Sequence, residues 1–195
     1  MSATPAHLEL VTDTRPGPAV DSVVLGMVLF CVVEAMMFAG LISAFMIVKS
    51  NAIEWPPPGQ PRLPVESTMI NTAALLLSGL MLFQTGRVFM RDRRKALAPM
   101  GVAMALGAFF VAFQGYEWLG LLREGLTLTS SQHGSFFYLI VGMHAAHAVV
   151  ALAALGWAWQ RLSELRLKPG VFNGVAIFWY FVVGLWPILY WRVYL

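Results

Sequence analysis

Residues 134 to 156 read GSFFYLIVGMHAAHAVVALAALG, an apolar stretch interrupted by two histidines. At 1.5 Å per residue, about 20 such residues are enough for a helix to cross the hydrocarbon core of a bilayer. His144 and His147 are three positions apart, so both imidazoles lie on one face of that helix. Polar groups at membrane depth turn away from lipid. The stretch therefore predicts a membrane helix in a bundle whose other helices supply polar partners.

The composition of the whole chain is that of an integral membrane protein. Of its 195 residues, 58% are hydrophobic and only 12% are charged, and the mean hydropathy is +0.70; a soluble domain carries more charge. The net charge of +3 comes from short basic clusters between apolar runs, a pattern that predicts no nucleic-acid partner. The one cysteine, Cys31, lies in an apolar run, so the chain cannot build a disulfide framework or a thiolate cluster by itself.

Five apolar runs are long enough to span a membrane, and they predict an all-α fold with five transmembrane helices. We expect one membrane domain over residues 23–195, preceded by a polar tail at residues 1–22. The tail lacks the basic start and apolar core of a signal peptide. The predicted spans are residues 23–48, 68–86, 96–122, 134–160 and 171–191.

The distribution of lysine and arginine predicts the orientation of these spans. Nine basic residues fall in the tail and the even-numbered connections with their flanks, against four on the other side. The excess predicts a cytoplasmic amino terminus and an outer carboxyl terminus in a multi-pass protein of the cell inner (plasma) membrane. The densest cluster also predicts a contact with anionic lipid headgroups. It consists of Arg91, Arg93, Arg94 and Lys95.

Polar side chains inside the spans are the candidate functional residues: Glu34, Gln114, Glu117, His144 and His147. Counted from the outer ends of their spans, Glu34 lies at a depth of about 21 Å and His147 at about 20 Å. His144 lies at about 15 Å and Glu117 at about 8 Å. These depths predict a contact between Glu34 and His147 near mid-membrane. They predict a second contact from His144 to Glu117 or Gln114.

Three interpretations of these polar residues stay open: they fix helix packing, relay protons beside a neighbouring subunit, or bind a metal. The metal interpretation has only the two nitrogens of His144 and His147, since His7 lies in the tail and His133 in a loop. Haem between two helices needs histidines on separate spans. No serine, cysteine or lysine has an evident base partner. The sequence thus predicts no catalytic, cofactor-binding or metal-binding residue in this chain.

A series of motifs in chain order resembles subunit III of the haem-copper oxidases, the cytochrome c oxidase family. The resemblance covers nearly the whole chain from Gly26 onward, in a five-span form without the two leading helices of longer relatives. The motifs are Glu34 within LFCVVEAMMFAG, Trp55-Pro-Pro, Asn71-Thr-x-x-Leu-Leu-Leu-Ser-Gly79, Gln114-x-x-Glu117, Gly134-Ser-Phe-Phe137 and Gly142-x-His144-x-x-His147.

The resemblance implies a subunit with no redox centre of its own. It would pack beside a catalytic subunit I that holds haem and copper, together with subunit II and other subunits, in an oxidase that passes electrons from cytochrome c to oxygen in aerobic respiration. In that family, subunit III is expected to sustain proton uptake, protect the enzyme during turnover, bind phospholipid and assist oxygen access. Glu34 matches the family's buried carboxylate, Glu117 its Gln-x-x-Glu glutamate, and His144 and His147 its histidine pair.

The last span departs from the family pattern. Residues 179 to 186 read WYFVVGLW, where the family has Trp-His-Phe-x-Asp-x-x-Trp, so Tyr180 replaces the histidine and Val183 the aspartate. Alternatives within the class are subunit III of a quinol oxidase or an accessory protein of a nitric oxide reductase. A stand-alone proton-coupled transporter is the alternative from another class, although no internal repeat supports it. A membrane metalloenzyme would need more ligands.

Overall fold

The computed structural model describes residues 21–55, 63 and 65–194, and the predicted polar tail lies outside this range up to residue 20. Within the described residues, all regular structure is helical, because a chain in hydrocarbon must satisfy its backbone hydrogen bonds internally. Five of these helical segments are long and apolar enough to cross a membrane, which confirms the predicted fold class. The helices are α1 (Ser22–Asn51), α2 (Val65–Phe89), α3 (Leu97–Arg123), α4 (Gln132–Ser163) and α5 (Pro169–Leu189), the last continued by a π-helical turn (Tyr190–Tyr194).

Polar residues at the helix ends extend most helices beyond the apolar runs read from the sequence. The carboxylate of Asp21 accepts a hydrogen bond from the backbone nitrogen of Val23 at 2.9 Å, and the hydroxyl of Ser131 accepts one from that of Gly134 at 3.0 Å. Both are N-cap contacts that satisfy free backbone donors in the first turn. α5 starts at Pro169, a residue tolerated at the first helical position. The starts of α1, α4 and α5 thus lie one or two residues before the predicted ones.

Helices α2, α3, α4 and α5 form a ring, in which each helix packs on the next and α5 also packs on α2. α1 lies outside the ring and contacts α5 and α4. Inside the bundle, Trp179 links α5 to α2, because its indole nitrogen donates a hydrogen bond to the hydroxyl of Ser78 at 3.0 Å. A Cβ at Gly107 of α3 would lie 2.5 Å from the Trp179 ring, so only glycine permits this approach.

One end of the bundle carries two basic connections that are tied to each other. Arg93, between α2 and α3, donates to the carbonyl of Leu167, between α4 and α5, at 3.2 Å. The indole of Trp159 on α4 donates to the carbonyl of Leu97 on α3, also at 3.2 Å. We call this the basic end. The opposite end carries residues 52–55 and 124–131.

Candidate functional site

The predicted contact between Glu34 on α1 and His147 on α4 is present. Nε2 of His147 lies 3.1 Å from Oε2 of Glu34, and Nδ1 of His147 lies 2.7 Å from the carbonyl oxygen of Met143. A carbonyl can only accept, so Nδ1 carries a proton and donates it to Met143. The bond between Nε2 and Oε2 then requires one more proton, which belongs either to a carboxylic acid or to an imidazolium. We call Glu34 and His147 the mid-membrane pair.

Aromatic rings surround this pair, but they do not close it off. The ring centroids of Phe38 and Phe178 lie 5.6 Å and 6.2 Å from that of His147. The side chain of His147 nevertheless stays 11% exposed and that of Glu34 18% exposed. A groove of about 170 Å³ opens at His147 between α1, α4 and α5. The other residues that line it are Phe30, Ala146, Val150 and Phe178.

His144 does not make the predicted contact with Glu117 or Gln114. Its side chain is fully buried, and neither ring nitrogen has a hydrogen-bond partner among the residues that the structure describes. The imidazole stacks on Trp186 with a centroid distance of 5.0 Å, and Trp186 also contacts the ring of Phe110 on α3. Trp186 of α5 therefore packs against both α3 and α4. It occupies the place where a direct contact between these two helices had been predicted.

Glu117 is instead the centre of a second cluster near the opposite end. Its carboxylate accepts hydrogen bonds from the hydroxyl of Ser67, from that of Thr68 at 3.0 Å and from Nε2 of Gln114 at 3.5 Å. The same Gln114 nitrogen donates to the hydroxyl oxygen of Tyr194 at 3.1 Å. Glu117 is 8% exposed. We call these five residues the Glu117 cluster; three donors from α2 and α3 satisfy its carboxylate within the chain.

Several members of this cluster and its support were missed by the sequence reasoning, which considered only ionisable side chains and Gln114. Asn71 donates to the carbonyl of Phe110 at 3.3 Å and to Oε1 of Gln114 at 3.5 Å. Thr68 and Asn71 are three positions apart, a spacing that could have indicated a polar face on α2. Tyr194 had no comparable signal, because the π-helical turn that carries it is not visible in the sequence.

The Glu117 cluster borders a cavity of about 320 Å³ at its end of the bundle. Tyr116, Arg123 and Glu124 line this cavity together with Ser67 and Glu117. No basic side chain forms an ion pair with Glu117 among the described residues. Neutral donors, rather than a positive charge, hold this carboxylate.

The four residues of the basic run differ in their surroundings. All are exposed, but Arg93 is engaged with the Leu167 carbonyl and lies over the Phe89 ring. Lys95 lies 3.7 Å from Asp92. Their contact with lipid headgroups stays a prediction.

The two positions that depart from the family pattern lie in different places. Val183 is buried against α2, where a Cβ at Gly79 would lie 3.0 Å from its side chain. Tyr180 is exposed and lines a groove with Arg87 and Asn173. In the described part of the chain, no three His, Cys, Asp or Glu side chains converge in a way that could hold a metal ion.

Comparison with known proteins places this chain in a family. A family model described as cytochrome c oxidase subunit III matches residues 14–195. A probable cytochrome c oxidase subunit 3 of Nocardia farcinica is 30% identical over 183 residues, which cover 89% of this chain and 88% of the relative. The cytochrome c oxidase subunit 3 of a Synechocystis species is 30% identical over 207 residues, covering 100% and 87%. That of Gallus gallus is 29% identical, covering 87% and 67%. The chain therefore belongs to the cytochrome c oxidase subunit III family.

Proposed function

We propose that this chain is the non-catalytic subunit III of a terminal haem-copper oxidase that passes electrons from cytochrome c to oxygen. Membership of the family implies a complex with other oxidase subunits. In this proposal they are a catalytic subunit I, which holds the haem and copper, and a subunit II. The complex lies in the cell inner (plasma) membrane, with the amino terminus of this chain inside. Nine basic residues on the side of the amino-terminal tail, against four on the other side, support that orientation.

The positions of the histidines support the proposal that the haem is held by a partner subunit. The three histidines in the described residues, His133, His144 and His147, all lie on α4. His133 is therefore helical, and its expected position in a loop was wrong, because α4 begins at Gln132. Haem held between two helices takes an axial ligand from each of them. The histidines of a single helix cannot supply that arrangement, so these residues do not fit a haem ligand set.

The mid-membrane pair is the observation that carries the proposed role. Because Met143 fixes the proton on Nδ1 of His147, Nε2 and Glu34 hold one proton between them. Release of this proton alone would leave a negative charge on Glu34, so the pair stays neutral only if it takes up another proton as it gives this one to a neighbouring group. We infer that the pair supports proton uptake by the adjacent catalytic subunit and so protects the oxidase during repeated turnover.

A phospholipid contact at the basic end is the second part of the proposed role. Arg91, Arg94 and Lys95 are exposed there beside Arg93. Anionic headgroups would contribute roughly 1 kcal/mol for each basic residue near the membrane surface. This contact would hold lipid at the junction with the other subunits and help to stabilise the complex.

Affinity purification of the tagged chain from its own membranes tests the assignment. We expect haem-bearing subunits to co-purify, whereas the chain stripped from them should lack haem absorbance. The remaining oxidase should keep its haem spectrum but lose activity faster during turnover, and adding the chain back should restore its durability. Vesicles that contain the chain alone should not move protons. Proton transport by the chain alone would support the stand-alone transporter and contradict the proposal.

A further inference from the structure

A groove between α1, α2 and α5 shares no residue with the mid-membrane pair or the Glu117 cluster. It has a volume of about 500 Å³, and its lining includes Tyr180, one of the two positions that depart from the family pattern. All three helices contribute to its apolar walls, which consist of Val24, Phe83, Met90, Phe172 and Ile177. The small residues Gly86 and Ala176 also line it. We call it the Tyr180 groove.

The Tyr180 groove runs from the basic end towards the middle of the membrane. Arg87 lies in the last turn of α2 at that end, and Asn173 lies in the second turn of α5, which begins there. Tyr180 follows Asn173 by seven positions, so both lie on one face of α5, about 10 Å apart along its axis. Helical side chains lean towards the amino terminus of their helix, so we expect the Tyr180 hydroxyl to lean towards the basic end. The groove thus joins polar groups near headgroup level to apolar walls at greater depth.

Arg87 is the one charged side chain that lines this groove. Its guanidinium lies 5.9 Å from the centroid of the Phe83 ring, and it has no ion pair or hydrogen bond with the part of the chain that the structure describes. The side chains of Asn173 and Tyr180 also lack a hydrogen-bond partner there. A guanidinium stays charged and presents donors that fit a phosphate group. The groove therefore offers one positive charge and two neutral donors.

We propose that the Tyr180 groove binds an anionic phospholipid. The phosphate accepts hydrogen bonds from Arg87, the ester oxygens below it accept from Asn173 and Tyr180, and one acyl chain lies along the apolar walls. The headgroup carries a net negative charge, because the ammonium of a zwitterionic lipid would find no carboxylate in the lining.

This site differs from the headgroup contact proposed for the basic run, because it takes an acyl chain as well as a phosphate. The inference rests on the proposed function only for the orientation, which puts the basic end at the cytoplasmic leaflet. That leaflet carries anionic lipid. A helix of another subunit is the competing occupant. It would have to bring a carboxylate to Arg87 at one end of a groove whose walls are otherwise apolar.

Photo-labelling of the purified complex in phosphatidylcholine bilayers tests this site. The probe is phosphatidylglycerol with a diazirine in one acyl chain. We expect adducts on residues 83–90 and 172–180 of this chain, and replacing part of the phosphatidylcholine by unlabelled phosphatidylglycerol should remove them. Arg87→Gln, at an exposed position, should lower this labelling at least several-fold. Arg94→Gln removes the same charge from the basic run outside the groove and should leave the labelling nearly unchanged.

Three outcomes would overturn the lipid site: an equal loss of labelling in Arg87→Gln and Arg94→Gln, adducts that unlabelled phosphatidylglycerol does not displace, or no adduct in the groove of the assembled complex. In the third case, labelling of the groove after the chain is separated from its partners would identify another subunit as the occupant. Haem-bearing subunits are followed in the same preparation. If they co-purify and the groove is unlabelled, only the lipid site fails. If they are absent, the proposed function fails whatever the labelling shows.

Discussion

Glu34 and Glu117 are both acids within membrane-spanning helices, yet they differ in their hydrogen-bond partners and in their exposure. Glu117, near the opposite end, receives hydrogen bonds from Ser67, Thr68 and Gln114 and is 8% exposed. Glu34, near the middle of α1, has one partner, His147, and its side chain is 18% exposed. An acid whose donors all come from its own chain serves the packing of that chain. An acid left partly open, with a proton shared, is suited to exchange with a neighbour.

The largest effect is expected when the Glu117 carboxylate is removed. Glu117→Ala removes the acceptor that the side chains of Ser67, Thr68 and Gln114 share and should destabilise the chain by about 2 to 3 kcal/mol. Thermal unfolding of the purified chain in detergent measures the change. Glu124→Ala, at an exposed glutamate in the same region, should have little effect. A similar small loss in both variants would contradict a structural role for Glu117.

Glu34→Gln should leave the stability of the chain nearly unchanged but make the complex lose activity faster. The carboxamide has the size of the carboxyl group and can donate to Nε2 of His147, so we expect a stability change below about 1 kcal/mol. It cannot hold the shared proton, however, and the complex should lose activity several-fold faster during turnover. Haem absorbance, measured in parallel, should not change. Unaltered durability of turnover would remove the proton role and leave the pair as a packing contact.

A smaller effect is expected at the edge of the Glu117 cluster. Tyr194→Phe removes the oxygen that accepts from Gln114, and the remaining bond from Gln114 to Glu117 limits the cost to about 1 kcal/mol. Tyr116→Phe, at an exposed tyrosine of α3, serves as the control in the same unfolding assay. If Tyr194→Phe were as damaging as Glu117→Ala, the tyrosine rather than the glutamate would be the centre of the cluster.

The smallest effect is expected at His144, between the two regions. Its nitrogens have no hydrogen-bond partner in the described part of the chain, and phenylalanine would keep the stacking on Trp186. His144→Phe should therefore change stability by less than about 1 kcal/mol and leave the durability of turnover as in the unsubstituted complex. A loss of durability like that of Glu34→Gln would mean that the two regions exchange protons through His144.

The sequence predicted those contacts of the site that depend only on how far along its helix each residue lies. Glu34 and His147 were placed at one level by counting residues, and their contact is present. The predicted contact of His144 failed because depth says nothing about which side chains lie between two helices. Trp186 packs against His144 in the structure, and hydroxyl groups rather than an imidazole bond to Glu117. Neutral donors are common in membrane helices, so their presence in a sequence gives little guidance.

The sequence by itself determined the five helices, the position of each polar residue along its helix and the family. Helices are required because hydrocarbon satisfies no backbone group, and depth follows from a fixed rise per residue. Only the tertiary structure decided how each helix is rotated: that α1 lies outside the ring, that the Glu117 cluster closes on itself and that the mid-membrane pair stays partly open. In a soluble helix, apolar periodicity would indicate the buried face. In a bilayer the outward face is as apolar as the inward one, so rotation is set by side-chain packing between helices.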